Sequence, residues 1–324
     1  MSGARRAIIV GSAGQDGRLL FERLDRDGWA VLGVARRAVR CNPAGAVLPG
    51  EPIDILDRPA VDDLVARAAP DAVFYLAAFH HGAEDKPADD ADLYLRSHDV
   101  HVRGLLHVLE ALRRRAAAAR LFYAASSHCF GEPATPMQDE TTPLRPREPY
   151  GITKTAGLLL CRMYRTAHGI GASTGLLYNH ESPLREPRFL STKIVRGAVA
   201  IARGRTDRLV LGNLGARVDW GYAPDYVDAM VRIVAHPVAD EFVVATGRAH
   251  TVEEFVALAF GRLGIDWRRH VDTDPALLAK PVASLLGDSA KLRGATGWAP
   301  SIDFPAMVAL LVDAELARTA QGPS

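Results

Sequence analysis

Residues 7–17, "AIIVGSAGQDG", decide the fold. An apolar run ends at Gly11, and Gly11, Gly14 and Gly17 recur three apart before the helix-spaced segment "GRLLFERLDRDG" (17–28), which stops at Gly28. Strand, glycine turn and helix in that order make a dinucleotide-binding turn. Glycine lets the backbone bend tightly and approach a pyrophosphate, which then lies at the positive end of the helix. A glycine triplet alone is a weak signal; its strand–turn–helix context makes it specific.

The same alternation continues outward. "AVLGVA" (30–35) reads as a strand, "PAVDDLVARAAP" (59–70) as a helix between prolines, and "AVFYLAA" (72–78) as a buried strand. A long helix is expected over 95–118, a strand over 120–126 and a second long helix over 154–169. Repeated β–α units with right-handed crossovers predict an α/β fold, a doubly wound parallel sheet of Rossmann type. The alternation loosens after about residue 178, where Pro183, Pro187 and many charges gather. We therefore expect a dinucleotide-binding domain over 1–178 and a smaller C-terminal α/β substrate domain over 179–324, with part of 217–247 returning to the first.

Composition narrows the partners. With 39 Lys and Arg against 38 Asp and Glu, no global charge points to nucleic acid or a membrane surface. Cys41, Cys129 and Cys161 have neither metal-ligand spacing nor a disulfide pattern, so no metal is expected and a reducing, cytoplasmic setting is. The apolar strand begins within the first few residues and no run reaches membrane-spanning length, so neither a secretory leader nor a membrane anchor is expected.

The end of the second strand indicates the cofactor. An acidic residue there usually bonds the ribose 2′-hydroxyl of NAD. This chain has Arg36 and Arg37 instead, with Arg40 close behind, and arginine suits a 2′-phosphate, so NADP is favoured with NAD possible. The same arginines can equally form a solvated turn. Around the turn, Gly11, Gly14, Gln15, Asp16 and Gly17 are candidate cofactor contacts. Asp54 and Ile55 in "IDILD", and Leu76, Ala77 and Ala78 at the end of the strand over 72–78, complete the expected dinucleotide site.

The catalytic signal is "YGITK". Tyr150 and Lys154 stand four apart, on one face of a helix, and a lysine ammonium near a phenol favours the phenolate. Ser126, at the end of a strand 24 residues earlier, can hydrogen-bond the same substrate hydroxyl.

At this point the chain resembles the extended short-chain dehydrogenase/reductases that modify nucleotide sugars, and within them the GDP-mannose 4,6-dehydratase branch. "GSAGQDGRLL", "EPYGITK", "LLYNHESPLREPRFLSTKI" (176–194) and "LGNLGARVDWGYAPDYVDAM" (211–230) carry the likeness. The resemblance implies that Asn179, Lys193, Arg217 and Lys280 contact the nucleotide sugar, with His80 and Ser127 near the sugar and Asp219 and Trp220 shaping the pocket. It implies a homodimer or tetramer built on the two long helices. It also implies redox-neutral chemistry that begins by oxidising the sugar at C4.

Departures from the branch leave the reaction open. Where its dehydratases carry a glutamate two residues after the catalytic threonine, this chain has Ser126, Ser127 and His128. Losing that carboxylate favours a C4 epimerase, which needs no base at C5. The alternative is a 4,6-dehydratase in which His128, an acid or base near neutrality, replaces the glutamate. A net reductase or oxidase, and a non-catalytic nucleotide-sugar or NADP sensor, are the further readings. Val218 replaces an arginine, Lys280, Pro281, Val282 and Ala283 stand where the branch has Arg-Pro-x-Glu, and Phe79, His80 and His81 make a bulkier rim.

Overall fold

The computed structural model describes residues 4–36, 50–80, 89–274, 277 and 285–320. Arg37, Arg40, Cys41, His81, Lys280, Val282 and Ala283, all singled out above, lie outside the described residues.

The chain starts as β1 (Arg6–Val10), α1 (Gln15–Arg26), β2 (Ala30–Ala35), β3 (Gly50–Pro52), α2 (Arg58–Ala68) and β4 (Ala72–Tyr75). It continues through α3 (Asp90–His98), a π-helical turn (Asp99–Arg103), α4 (Gly104–Arg115), β5 (Arg120–Ala124), α5 (Pro149–His168) and β6 (Gly171–Leu177). β7 (Asn179–Glu181), α6 (Leu190–Ala202), β8 (Leu209–Leu211), β9 (Arg217–Tyr222), α7 (Ala223–Ala235) and β10 (Glu241–Val244) follow. The last elements are β11 (Ala249–Thr251), α8 (Val252–Arg262), β12 (Val271–Thr273), α9 (Ala290–Thr296) and α10 (Phe304–Ala320).

Seven parallel strands form the main sheet in the order β10-β6-β5-β4-β1-β2-β3. The chain winds one way from β1 through β2 to β3 and the other way from β4 outward. The strand order thus reverses between β1 and β4, where an open α/β sheet leaves a ligand crevice at its carboxyl edge. Strands buried on both faces read as unbroken apolar runs, and Ile8, Ile9, Val73, Phe74, Leu121 and Phe122 are each at most 1% exposed. α1 packs with α7, and α4 with α2 and α5.

β10 and α7 carry Phe242, Val243, Met230 and Ile233 into the same core as β1 and β5, although they follow β7 in sequence. A second core gathers α6, α8 and α10 around Trp220, Phe255 and Phe304, with β9 between β7 and β11 in a separate three-stranded sheet. Asp219 on β9 is buried and accepts hydrogen bonds from the Thr246 amide (3.0 Å), the Thr246 hydroxyl (2.5 Å) and the Gly247 amide (3.1 Å). It therefore anchors the chain just beyond β10 to β9.

Two helices differ from the sequence reading. The helix expected over 95–118 is α3 and α4 joined by the π turn, whose wider winding carries His101 into the interior. α5 starts at Pro149 rather than near 154, because proline at the first helical position leaves no N–H unsatisfied.

α5 lies hard against β5 and the π turn. A Cβ at Gly157 would come 2.3 Å from the Tyr123 hydroxyl and 2.9 Å from the His101 carbonyl oxygen. Alanine is the better helix former by about 1 kcal/mol, but the overlap opposes it at ~1–3 kcal/mol. Gly157→Ala should thus lower the urea midpoint. An unchanged or raised midpoint would mean that this contact does not set the helix position.

Candidate active site

The glycine turn is built as its sequence requires. Gly11 adopts φ +94°, and a Cβ there would lie 2.6 Å from the Ala77 amide nitrogen; one at Gly17 would lie 2.5 Å from the Gly11 carbonyl oxygen. Gly14 is the N-cap of α1 and, having no side chain, leaves that helix terminus uncapped at the carboxyl edge of the sheet. These features fit a dinucleotide pyrophosphate, which needs close backbone approach and free amides. Leu76 continues β4 by donating to the Val10 carbonyl at 2.8 Å, while Ala78 is exposed beyond it. Arg36 is exposed directly after β2. Asp54 accepts the Leu56 amide at 2.9 Å, a turn contact, and the Ile55 carbonyl oxygen lies 2.9 Å from His107 Nδ1.

The side chains of Gln15 and Asp16, expected at the cofactor, are instead engaged with β7 and the residue after it. Gln15 Nε2 donates to the His180 carbonyl at 3.2 Å, and Ser182 donates to Gln15 Oε1 at 2.8 Å. Asp16 Oδ2 lies 3.0 Å from His180 Nε2, while His180 Nδ1 faces the Tyr178 carbonyl at 2.7 Å. Both imidazole nitrogens thus face acceptors, which favours the imidazolium. Burial alone would raise the Asp16 carboxyl, but the His180 charge and hydrogen bond, with Gln15, outweigh it and hold the group at about 2. Burial likewise opposes the His180 charge, yet Asp16 and the Tyr178 carbonyl raise its value. The Asn-His-Glu-Ser string is therefore clasped to the turn that opens α1.

Tyr150 and Lys154 lie in the first two turns of α5. The Lys154 ammonium is 2% exposed, donates to the Ala124 carbonyl at the end of β5 at 2.7 Å, and lies 5.7 Å from the Tyr150 ring centre. Burial lowers it to about 8. Tyr150 departs from the sequence expectation: burial drives its phenol above the ordinary value, while the Ser126 hydrogen bond and the Arg185 charge only partly oppose that. Ser126 Oγ also accepts the His128 amide at 3.2 Å, so it caps the short helical turn at Ser127–Cys129, where Ser127 is buried.

Three imidazoles surround the phenol. The rings of His80, His101 and His128 lie 5.1, 5.3 and 5.6 Å from that of Tyr150. His101 Nε2 accepts the Phe79 amide at 3.1 Å, so Nδ1 carries the proton and donates to Thr153 Oγ1 at 2.8 Å. Thr153 passes the chain to the Pro149 carbonyl at 2.9 Å. Burial, with Lys154 next, holds His101 well below the ordinary imidazole value. His80 is lowered to about 4 by burial, then by Arg188 and His128, and its buried Nδ1 has no hydrogen-bond partner among the described residues. His128 Nδ1 is bonded to Glu148 Oε1.

The remaining candidates are more dispersed. Asn179 is exposed at the start of β7, paired with Trp220 on β9. Lys193 is half-buried on α6. Arg217 is exposed at the start of β9 and donates to the Ala249 carbonyl at 3.0 Å. Sequence reasoning missed His101, Glu148 and the Asp16–His180 pair, because their partners lie 52, 20 and 164 residues away.

Fold and site together have the form of a Rossmann-type enzyme with a tyrosine–lysine centre. Residues 8–311 match the family model of GDP-mannose 4,6 dehydratase, and the chain belongs to that family. GDP-mannose 4,6 dehydratase 2 of Arabidopsis thaliana is 36% identical over 96% of this chain and 86% of the relative. The GDP-mannose 4,6 dehydratase of Homo sapiens is 31% identical over 97% of this chain and 92% of its own. The structure of RMD from Pseudomonas aeruginosa complexed with NADPH shares the fold, with a TM-score of 0.82 at 23% identity over 97% of this chain and 100% of that one.

The Asp16–His180 pair predicts a pH signature. Asp16, lowered from 3.8 to about 2, adds stability that is present above 3.8 and lost as pH falls toward 2. His180, raised above 6.5, adds stability that is present below 6.5 and lost as pH rises through its folded value. Asp16→Asn should cost about 2 kcal/mol, measured by denaturant titration, with the largest difference between those limits. A wild-type-minus-variant difference that stays flat with pH would contradict the pairing.

Proposed function

We propose that the protein removes water from a GDP-linked hexose by transient oxidation at C4 with NADP, as a 4,6-dehydratase in which His128 replaces the usual glutamate. The observation carrying this reading is the His128 ring set edge-on at 5.6 Å from the Tyr150 ring. Two proton-transfer groups then flank one sugar. Family membership supports the GDP-sugar, and exposed Arg36 at the end of β2 supports NADP over NAD.

Tyr150 takes the proton of the C4 hydroxyl, with Ser126 donating to the same oxygen. The turn at Gly11, Gly14 and Gly17 would hold the dinucleotide, which would supply the hydride acceptor and donor for this chemistry and a positive charge to offset the effect of burial on the phenol. The C4 carbonyl acidifies C5–H. His128 takes that proton and gives it to the departing C6 hydroxyl, which leaves as water. C5 finally regains a proton drawn from solvent, so the net change is loss of one water. Neutral His80 offers its unpartnered nitrogen to a sugar hydroxyl, while Asn179, Lys193 and Arg217 serve the nucleotide side.

C4 epimerisation is the second reading, favoured by the absence of a carboxylate at position 128 itself. A sensor without turnover accounts poorly for Lys154, since a buried ammonium is costly to keep where no chemistry uses it. We also propose a homodimer: Ile152, Leu159 and Met163 make an exposed apolar stripe on α5, with Tyr94 and Leu95 exposed on α3. Light scattering that gives a monomer at micromolar concentration would remove the dimer.

Incubation with GDP-mannose and other nucleotide sugars in heavy water, read by mass spectrometry, tests the reaction. A product lighter by one water and carrying deuterium at C5 is expected, and Tyr150→Phe should abolish it while leaving nucleotide binding intact. A product of unchanged composition without carbon-bound deuterium would establish epimerisation instead.

A further inference from the structure

We infer that Glu148 is a positioning residue that fixes the tautomer and aim of His128, so that a residue 20 positions away supplies the carboxylate missing from the 126–128 loop; this rests on the dehydratase reading above. Glu148 Oε1 is hydrogen-bonded to His128 Nδ1. A carboxylate can only accept, so the hydrogen sits on Nδ1, and Nε2 is left as the lone-pair nitrogen, the one that can take a proton. A free neutral imidazole prefers the opposite tautomer. Without Glu148 the ring would offer a donor where the reaction needs a base.

The backbone is arranged to hold this pair. Glu148 is the N-cap of α5 yet makes no side-chain capping bond, so its carboxylate is turned to His128 rather than to the helix. On the other side, Ser126 Oγ caps the His128 amide at 3.2 Å. The His128 carbonyl is pressed onto the first turn of α5, since a Cβ at Gly151 would lie 2.6 Å from its oxygen. The two side chains are thus carried by backbone segments in direct contact. Both remain about two-fifths open, at 42% and 39% exposure, as groups facing an open cleft should be.

The charged and titratable groups facing His128 come from four places. Glu148 precedes α5, Tyr150 lies on it, His80 follows β4, and Arg185 and Arg188 reach the cluster from the segment after β7. Of these, only Glu148 is bonded to the His128 ring among the described residues.

The test compares Glu148→Ala and Glu148→Asp with the wild type. Nitrogen NMR of histidine-labelled protein, with His128→Asn used to assign the resonance, reads the tautomer without requiring activity. The wild type should show Nδ1–H on neutral His128, and Glu148→Ala should shift the ring to Nε2–H. In steady state, kcat of Glu148→Ala should fall on the order of a hundredfold with KM little changed, and Glu148→Asp should restore part of it. Deuterium entry at C5 should fall with kcat, while formation of reduced nicotinamide in the first turnover stays at the wild-type rate. If the wild type dehydrates and Glu148→Ala keeps both its tautomer and its kcat, the inference is overturned and the dehydratase reading stands. A tautomer switch in Glu148→Ala, together with a wild type that makes no dehydrated product, would support the positioning role and sink the dehydratase reading.

Discussion

The site depends on one buried charge. Lys154 is carried by α5 into the interior and must find a partner there, because an unpaired ammonium in a low-dielectric setting is prohibitive. Its partner is the Ala124 carbonyl at the carboxyl end of β5. That bond fixes the register between helix and strand, and with it the height of Tyr150 above the sheet edge. Gly157 and Gly151 then allow the helix to approach Tyr123 and His128 closely. Lowered to about 8 by burial, Lys154 remains mostly protonated near neutrality.

The surroundings of Tyr150 follow from that placement. A phenol driven upward by burial is a poor base, so the resting Tyr150 is held neutral beside the Lys154 ammonium. The imidazoles serve this in different ways. His101 is a neutral strut between the Phe79 amide and Thr153, and His80 is neutral with a nitrogen that meets no partner among the described residues. His128 alone is coupled to a carboxylate through a ring nitrogen near the phenol, which separates a group that can move a proton from two that hold shape. Meanwhile the Asp16–His180 clasp holds β7 against the turn that opens α1 through a largely buried ion pair.

Much of this was legible in the sequence, and what was not has a physical reason. The glycine turn and the tyrosine–lysine pair are local patterns, readable because turn geometry and helical periodicity act over a few residues. The return of part of 217–247 to the first domain was expected, but β10 itself has no such local signature: its membership in the main sheet is set by pairing with β6, across some 70 residues. The π turn left no periodic trace, although it brings His101 under Tyr150. Gln15 and Asp16 looked like cofactor contacts because they sit in the turn, whereas their side chains reach across to His180 and Ser182. The preference for an epimerase came from a missing carboxylate at one position of one loop; Glu148 brings a carboxylate to the same place from the foot of α5.

The central claim is a division of labour, with Tyr150 acting on the C4 hydroxyl and His128 on C5–H. Stopped-flow absorbance of reduced nicotinamide after mixing NADP-loaded protein with a GDP-hexose tests it most directly. The signal should rise and decay in the wild type, stay flat in Tyr150→Phe, and in His128→Ala rise at the wild-type rate without the forward decay. A His128→Ala trace that decays like the wild type would contradict the account.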